Sequence, residues 1–158
     1  MTIYTADLCD EHGDTIKVAE PIFTQYGKRR SFSGMIYTVK VFEDNVLVKK
    51  ALQTIPKGSV LIVDGGGSRS CALVGDNLAD LAIKREIAGI VVNGCIRDTA
   101  QINEMDIGIF ALGSHPLKSK KQGKGQEHVD VYFAGVSFQP ESYLYADEDG
   151  IVLSNLKK

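Results

Sequence analysis

The run Ser59–Asp64, SVLIVD, constrains the fold more than any other stretch of the chain. An unbroken apolar, β-branched segment with a turn signal on each side reads as a buried strand. Pro56-Lys57-Gly58 bounds it on one side and Gly65-Gly66-Gly67-Ser68 on the other. Gly34–Phe42 (GMIYTVKVF) and Gly89–Val92 read the same way, Ile107–Leu112 reads as a strand, and Ala72–Val74 reads as extended. Between them lie segments of helical period. Asp44 or Asn45 is suited to cap a helix from Val46 to about Ile55, with Leu47, Ala51, Leu52 and Ile55 on one face. Asp76 or Asn77 is suited to cap a second helix reaching about Ile87, with Leu78, Leu81, Ala82 and the stem of Arg85 on its apolar face. A brief helix follows around Thr99–Glu104. Strand alternating with helix is the pattern of a parallel α/β layer.

The two ends differ from this middle. Thr5–His12 reads as a short helix with Thr5 as cap and Gly13 as stop. Ser114–His128 is polar, carries Lys118, Lys120, Lys121 and Lys124, and reads as a long, solvated loop. Val129–Phe138, Tyr143–Ala146 and Ile151–Leu153 read as strands joined by turns at Gln139-Pro140 and Asp147–Gly150. The expectation is therefore α/β with mixed sheets. A chain of 158 residues without repeats or a linker fits a single domain over 1–158. That size buries enough surface to fold without a metal or a disulfide.

Charge narrows the partners. Eighteen Lys and Arg against 20 Asp and Glu leave a formal charge of −2, which argues against direct nucleic-acid binding. No run reaches the roughly 18 apolar residues of a membrane span, and the N-terminus MTIYTADLCDEH lacks the layout of a signal peptide. Cys9, Cys71 and Cys95 form no CxxC and no zinc spacing, so reduced thiols in a cytoplasmic protein are expected. No pair of His12, His115 and His128 stands at ligand spacing.

Chemistry concentrates between Gly75 and Asp98. Gly75-Asp76-Asn77-Leu78 marks a strand turning into a helix, whose free N–H groups can receive a carboxylate. Gly94-Cys95-Ile96-Arg97-Asp98 follows the next strand. If the strands are neighbours, Arg97 and Asp98 face the helix start at Asp76, where ligands of α/β sheets collect. Arg97 offers a planar fork for a carboxylate or a developing oxyanion. Asp98 can hold a hard divalent metal, Mg²⁺ or Mn²⁺, with water in the remaining positions. That combination suits a small 2-keto acid. The structural alternative is that Asp98 caps the next helix and Arg97 makes a surface ion pair. The Gly65–Ser70 turn lacks the Gly-Lys-Ser/Thr ending of a nucleotide loop but could still line a cleft, and Cys95 reads as packing rather than nucleophile.

Asp76, twenty residues, then Arg97-Asp98 resembles the D-x20-R-D signature of the RraA-like family of class II aldolases. Glu20-Pro21, Ser59–Gly67, Gly94–Arg97, Asp106–Ile109, Tyr145–Asp147 and Gly150-Ile151 are similar too, so the resemblance covers nearly the whole chain. It implies a layered β/β/α domain of swivelling-domain type, assembled as a homotrimer. It implies a metal-dependent aldolase that cleaves 4-hydroxy-4-methyl-2-oxoglutarate to pyruvate and decarboxylates oxaloacetate, through a pyruvate enolate. In that picture Gly75, Asp76, Asn77, Leu78 and Arg97 bind substrate, Arg97 and Asp76 act in catalysis, and Asp98 reaches the metal. Longer aldolases of the family draw further acids from a neighbouring subunit, a role that Glu141, Asp147, Glu148 and Asp149 could fill here. The family also contains protein regulators of ribonuclease E. Well-known regulators lack the acids of the signature, whereas Asp76 and Asp98 are both present in this chain.

Overall fold

Alternating strands and helices build a sheet that is covered on both faces. The structure is a computed structural model and describes residues 3–158. In chain order the elements are α1 (Thr5–His12), β1 (Lys17–Val18), β2 (Thr24–Tyr26), β3 (Phe32–Lys40), α2 (Val46–Thr54), β4 (Val60–Asp64), β5 (Ala72–Val74), α3 (Asp76–Lys84), β6 (Gly89–Ile96), α4 (Thr99–Ile102), β7 (Ile109–Ser114), β8 (Gln126–Glu127), β9 (Val131–Phe133), β10 (Val136–Phe138), β11 (Tyr143–Asp147) and β12 (Gly150–Ser154). A mixed ten-stranded sheet runs β1-β12-β11-β3-β4-β6-β7-β2, with β5 on β6 and β8 on β3. The β3-β4-β6-β7 centre is parallel, and β11, β12 and β1 extend it antiparallel.

The unbroken apolar strands follow from this double cover. Leu61, Val63, Ile90 and Val92 pack toward Val48 and Leu52 of α2 and Ala79 and Ala82 of α3. Val60, Ile62 and Val91 instead join Phe133, Val136 and Phe138 of the β9–β10 hairpin, with Leu144 and Ile151. Period-two alternation sends neighbours on one strand to opposite cores. The result is a single α/β domain with layers in the expected β/β/α order. None of the described helices is long and apolar enough to cross a membrane.

Several expectations change in detail. The run Val129–Phe138 is a hairpin rather than one strand, because Ala134 and Gly135 both take positive φ, 52° and 74°, as a tight turn between twisted strands requires. Helix α3 stops at Lys84, short of Ile87, and Arg85 is not an apolar stem. Its guanidinium donates to the carbonyls of Leu52 (2.6 Å) and Ile55 (3.0 Å), closing the C-terminal end of α2. Thr5 is not the cap of α1, a position held by Tyr4. The Thr5 amide and hydroxyl donate instead to the two oxygens of Asp147, at 2.8 and 2.7 Å. On α2, Val48 rather than Leu47 sits at the centre of the buried face.

Candidate active site

Parallel pairing of β5 with β6 brings the two strand ends together. Ala72 lies opposite Cys95 and Val74 opposite Ile96, with a register shift between them. The Arg97 amide donates to the Val74 carbonyl at 2.9 Å. Gly75 and Arg97 thus leave the sheet side by side. Gly75 has an ordinary extended backbone, and its missing side chain matters for room. A Cβ there would stand 2.7 Å from Asp98 Oδ2 and 3.4 Å from Arg97 Cγ.

Asp98 adopts the left-handed conformation, φ 58° and ψ 40°, which Asp tolerates better than most residues. Its Oδ2 accepts the Asp76 amide at 3.0 Å. This corrects the capping expectation twice. Neither Asp76 nor Asn77 caps α3, and the Asp98 side chain does not cap its own helix α4. A carboxylate from the neighbouring strand covers the α3 start, where the helix dipole favours negative charge. The first intrahelical bond is Ala79 N–H to Gly75 C=O at 3.0 Å. That leaves the Asn77 and Leu78 amides without an acceptor among the described residues. Arg97 is half-buried and, among the described residues, makes no ion pair; its guanidinium donates to the Pro116 carbonyl at 3.4 Å.

These residues form one wall of a cleft of about 630 Å³. The other wall comes from α2 and the segment after β7, through Asn45, Lys49, Lys118, Ser119 and Lys121. The solvated-loop reading of that segment stands for its lysines, Lys118, Lys120, Lys121 and Lys124 being exposed, whereas Ser119 is buried. Backbone bridges of Lys118 with Ala72 and of Lys120 with Asp44 hold the segment, and one buried carboxylate fixes the residues that follow. Asp44 accepts the amides of Val46 (3.1 Å) and Gly123 (3.3 Å) on Oδ1, and of Gln122 (2.8 Å) and Lys124 (3.5 Å) on Oδ2. Burial pushes the Asp44 carboxyl up, but the four N–H donors outweigh it and hold it below its ordinary value. The only local signal is Asp44 as a candidate cap of α2; the cap position falls on Asn45, whose side chain does not cap, while Asp44 one residue earlier accepts the Val46 amide, and nothing local announces its second set of donors.

The Gly65–Gly67 turn does not line this cleft. It closes on Asp64, whose Oδ1 accepts the Gly66 amide and Asn93 Nδ2, each at 3.0 Å, and it faces a separate groove beside Phe42. Burial pushes the Cys95 thiol up, so it stays protonated and packs on β6.

A family model described as RraA-like: Aldolase/RraA matches residues 5–153. The chain belongs to the RraA-like family. A relative in Aromatoleum aromaticum, provisionally named a 4-hydroxy-4-methyl-2-oxoglutarate aldolase, is 54% identical and covers 98% of this chain and 97% of its own. An Arabidopsis thaliana relative with the same provisional name, numbered 3, is 52% identical over 95% of this chain and 93% of its own. Among solved structures, a Geobacillus kaustophilus protein described as S-adenosylmethionine:2-dimethylmenaquinone methyltransferase superposes with a TM-score of 0.97 at 54% identity, covering 98% and 96% of the two chains. The RNA-processing inhibitor RraA of Thermus thermophilis gives a TM-score of 0.96 at 43% identity, covering 100% and 96%.

Within this RraA-like chain the later acids stay away from Asp98. Asp147 is committed to Thr5 and to the Asp149 amide at 2.9 Å. Glu148 and Asp149 line a different hollow with Glu20 and Phe23, and Glu141 stands 3.9 Å from His128. No cluster of three His, Cys, Asp or Glu side chains occurs among the described residues. Asp76 and Asp98 are the carboxylates that the cleft offers. That set still fits Mg²⁺ or Mn²⁺, since Mg²⁺ commonly takes one or two protein carboxylates and completes its shell with water and substrate.

Proposed function

We propose that the protein is a divalent-metal-dependent carbon–carbon lyase that cleaves 4-hydroxy-4-methyl-2-oxoglutarate to pyruvate and also decarboxylates oxaloacetate. The observation that carries this reading is the Asp98 carboxylate on the first amide of α3, beside Arg97 and next to the two open amides of Asn77 and Leu78. Relatives of about half-identical sequence and nearly full coverage, provisionally named for this aldolase, support it.

The amides of Asn77 and Leu78 bind the carboxylate next to the keto group. Arg97 donates to the oxygen on which negative charge grows as the carbon–carbon bond breaks. In aldol cleavage the bond between C3 and C4 breaks. The 4-hydroxyl loses its proton and becomes the keto group of one pyruvate. The electron pair left on C3 is shared with the first keto oxygen until C3 is protonated to a methyl group. Oxaloacetate follows the same course, with carbon dioxide as the leaving fragment. Asp76 is the second carboxylate of the cleft and takes the hydroxyl proton. Asp98 would hold the cation, which supplies Lewis-acid polarisation of the keto oxygen when bound. The reading includes a homotrimer and a cytoplasmic location, where Cys9, Cys71 and Cys95 remain free thiols.

Pyruvate release from both substrates is the test, with Mg²⁺, with EDTA, and with Asp98→Ala. The mutant matters because free metal alone decarboxylates oxaloacetate. Turnover that survives in Asp98→Ala refutes the site. A second reading, binding to ribonuclease E, draws on the 43% identity to the Thermus RNA-processing inhibitor. It expects Asp98→Ala to bind a ribonuclease E scaffold segment as the wild type does, and no binding at micromolar concentration removes it.

A further inference from the structure

The Arg97 guanidinium rests on a carbonyl that belongs to a turn closed by a histidine. It donates to the Pro116 carbonyl at 3.4 Å. The next amide of the chain, Leu117 N–H, donates to Nδ1 of His115 at 3.1 Å. Those two groups are the two ends of one peptide unit. The unit is planar and, like every peptide among the described residues, trans, so its C=O and N–H point in opposite directions. When His115 takes the N–H, the C=O is turned the other way, toward Arg97. Water can bond either end, but a fixed acceptor for the N–H selects one orientation of the C=O.

The turn is tied to both strands of the Asp98 wall. The His115 amide donates to the Ile96 carbonyl at 2.9 Å, one residue before Arg97, and the Ala72 amide donates to the Leu117 carbonyl at 2.8 Å, at the start of β5. Both bonds lie on the peptides that flank the unit; on the unit itself, His115 Nδ1 is the acceptor. Asn and Asp side chains commonly close a turn by accepting the amide two residues on, and Nδ1 of His115 stands in that position here. Nδ1 accepts only while it keeps its lone pair, which in the neutral ring places the hydrogen on Nε2. His115 is half-buried and does not line the cleft, so it reaches a ligand only through Arg97.

We infer that His115 is a positioning residue for Arg97: its Nδ1 fixes the peptide whose carbonyl holds the guanidinium at the cleft. The inference rests on the lyase reading for its consequence, since there Arg97 donates to the oxygen that gains charge as the carbon–carbon bond breaks. At 3.4 Å the guanidinium bond is long, so a turn of the carbonyl is enough to break it. An anchor set before the substrate arrives spares the reaction the cost of ordering Arg97. His115→Asn retains the acceptor, because Asn Oδ1 stands where the imidazole carries Nδ1. His115→Ala removes it.

Nitrogen NMR tests this without any turnover. At about pH 8, where a free imidazole is neutral, the nitrogen shifts of His115 should show a bare Nδ1 and a protonated Nε2. Nitrogen relaxation at Arg97 Nε should report a side chain that is ordered in the wild type and in His115→Asn and loosened in His115→Ala. Arg85, on the carbonyls of Leu52 and Ile55, and Arg29, on those of Ile87 and Ala88, should stay ordered in all three proteins, which shows that each variant is folded. In pyruvate release, kcat should fall about tenfold in His115→Ala with KM within about twofold, and return to within about twofold of the wild type in His115→Asn. Four results overturn the positioning role: a protonated Nδ1, an Arg97 equally ordered in the wild type and His115→Ala, an order lost in His115→Asn as in His115→Ala, or a His115→Ala that loosens Arg97 and keeps kcat. A wild type without turnover refutes the lyase reading alone, because the order of Arg97 still decides the role of His115.

Discussion

The two walls of the cleft are held by different physics. On the Asp98 side, strand register and a side-chain-free Gly75 place every group, and each contact joins residues at adjoining strand ends. On the lysine side, no regular element runs through Lys118–Lys121. Two isolated backbone bridges, Lys118 with Ala72 and Lys120 with Asp44, hold that segment, and the buried Asp44 carboxylate fixes the residues just after it through the amides of Gln122, Gly123 and Lys124, the Gln122 contact spanning 78 positions. The first wall can be rigid because removing it means breaking the sheet. The second depends on two single bridges and one ionised side chain, so it can be loosened while the core stays intact.

The largest effect should come from the first wall. Asp98→Ala removes both the negative charge and the acceptor for the Asp76 amide. Turnover should fall by about 10²–10³-fold, and the helix start should lose about 1 kcal/mol. Asp98→Asn keeps an acceptor oxygen and should lose activity as Ala does while melting close to the wild type. Parallel kinetics and melting curves separate these roles; an active Asn variant would mean the charge is idle. Gly75→Ala comes next. Its Cβ cannot stand 2.7 Å from Asp98 Oδ2, so the carboxylate must move, and a displacement approaching 1 Å costs on the order of tenfold to a hundredfold in kcat. Unchanged kcat in a folded Gly75→Ala would show that the placement of Asp98 is loose.

Asp44→Asn attacks the second wall. It should cost about 1–3 kcal/mol, because four amides lose a charged acceptor that is itself buried. Its kinetic signature should be a raised KM for the dicarboxylate substrate with kcat little changed, since the reacting end stays on the other wall. A fall in kcat with KM unchanged would place Asp44 nearer the chemistry than its contacts suggest.

This difference also explains what the chain discloses in advance. Gly75–Leu78 and Arg97-Asp98 are compact words beside apolar strands, so both the strands and the site they end in could be read locally. Capping misled at α3 because the acceptor for its first amide comes from Asp98, a tertiary contact that helix-start rules do not contain. Lys118–Lys121 has the composition of a solvated loop and its lysines are exposed; what local reading lacks is the pair of bridges to Ala72 and Asp44 that draws it to the cleft, and the second set of donors on Asp44, an aspartate with a sufficient local explanation of its own. The hairpin at Ala134-Gly135 was hidden for a related reason, since Ala is an uncommon choice at positive φ.

Acid should separate the second wall from the rest by the smallest margin. Asp44 and Asp147 are both carboxyls that burial alone would push up, and both are held below 3.8 by N–H and O–H donors. A depressed folded-state value means that the unfolded chain binds more protons as pH falls. The stabilisation is complete above 3.8 and is lost as pH drops below that value through the lower folded one. Neither group should therefore make stability depend on pH above about pH 5. Below 3.8, residues 122–124 should lose hydrogen-exchange protection as Asp44 protonates, and α1 should lose it as Asp147 releases Thr5. Asp44→Asn should abolish the pH dependence of the first segment and leave that of α1 intact. If both segments open together in the wild type and in Asp44→Asn, the two carboxyls are not independent clamps, and the second wall is held by the whole fold rather than by Asp44.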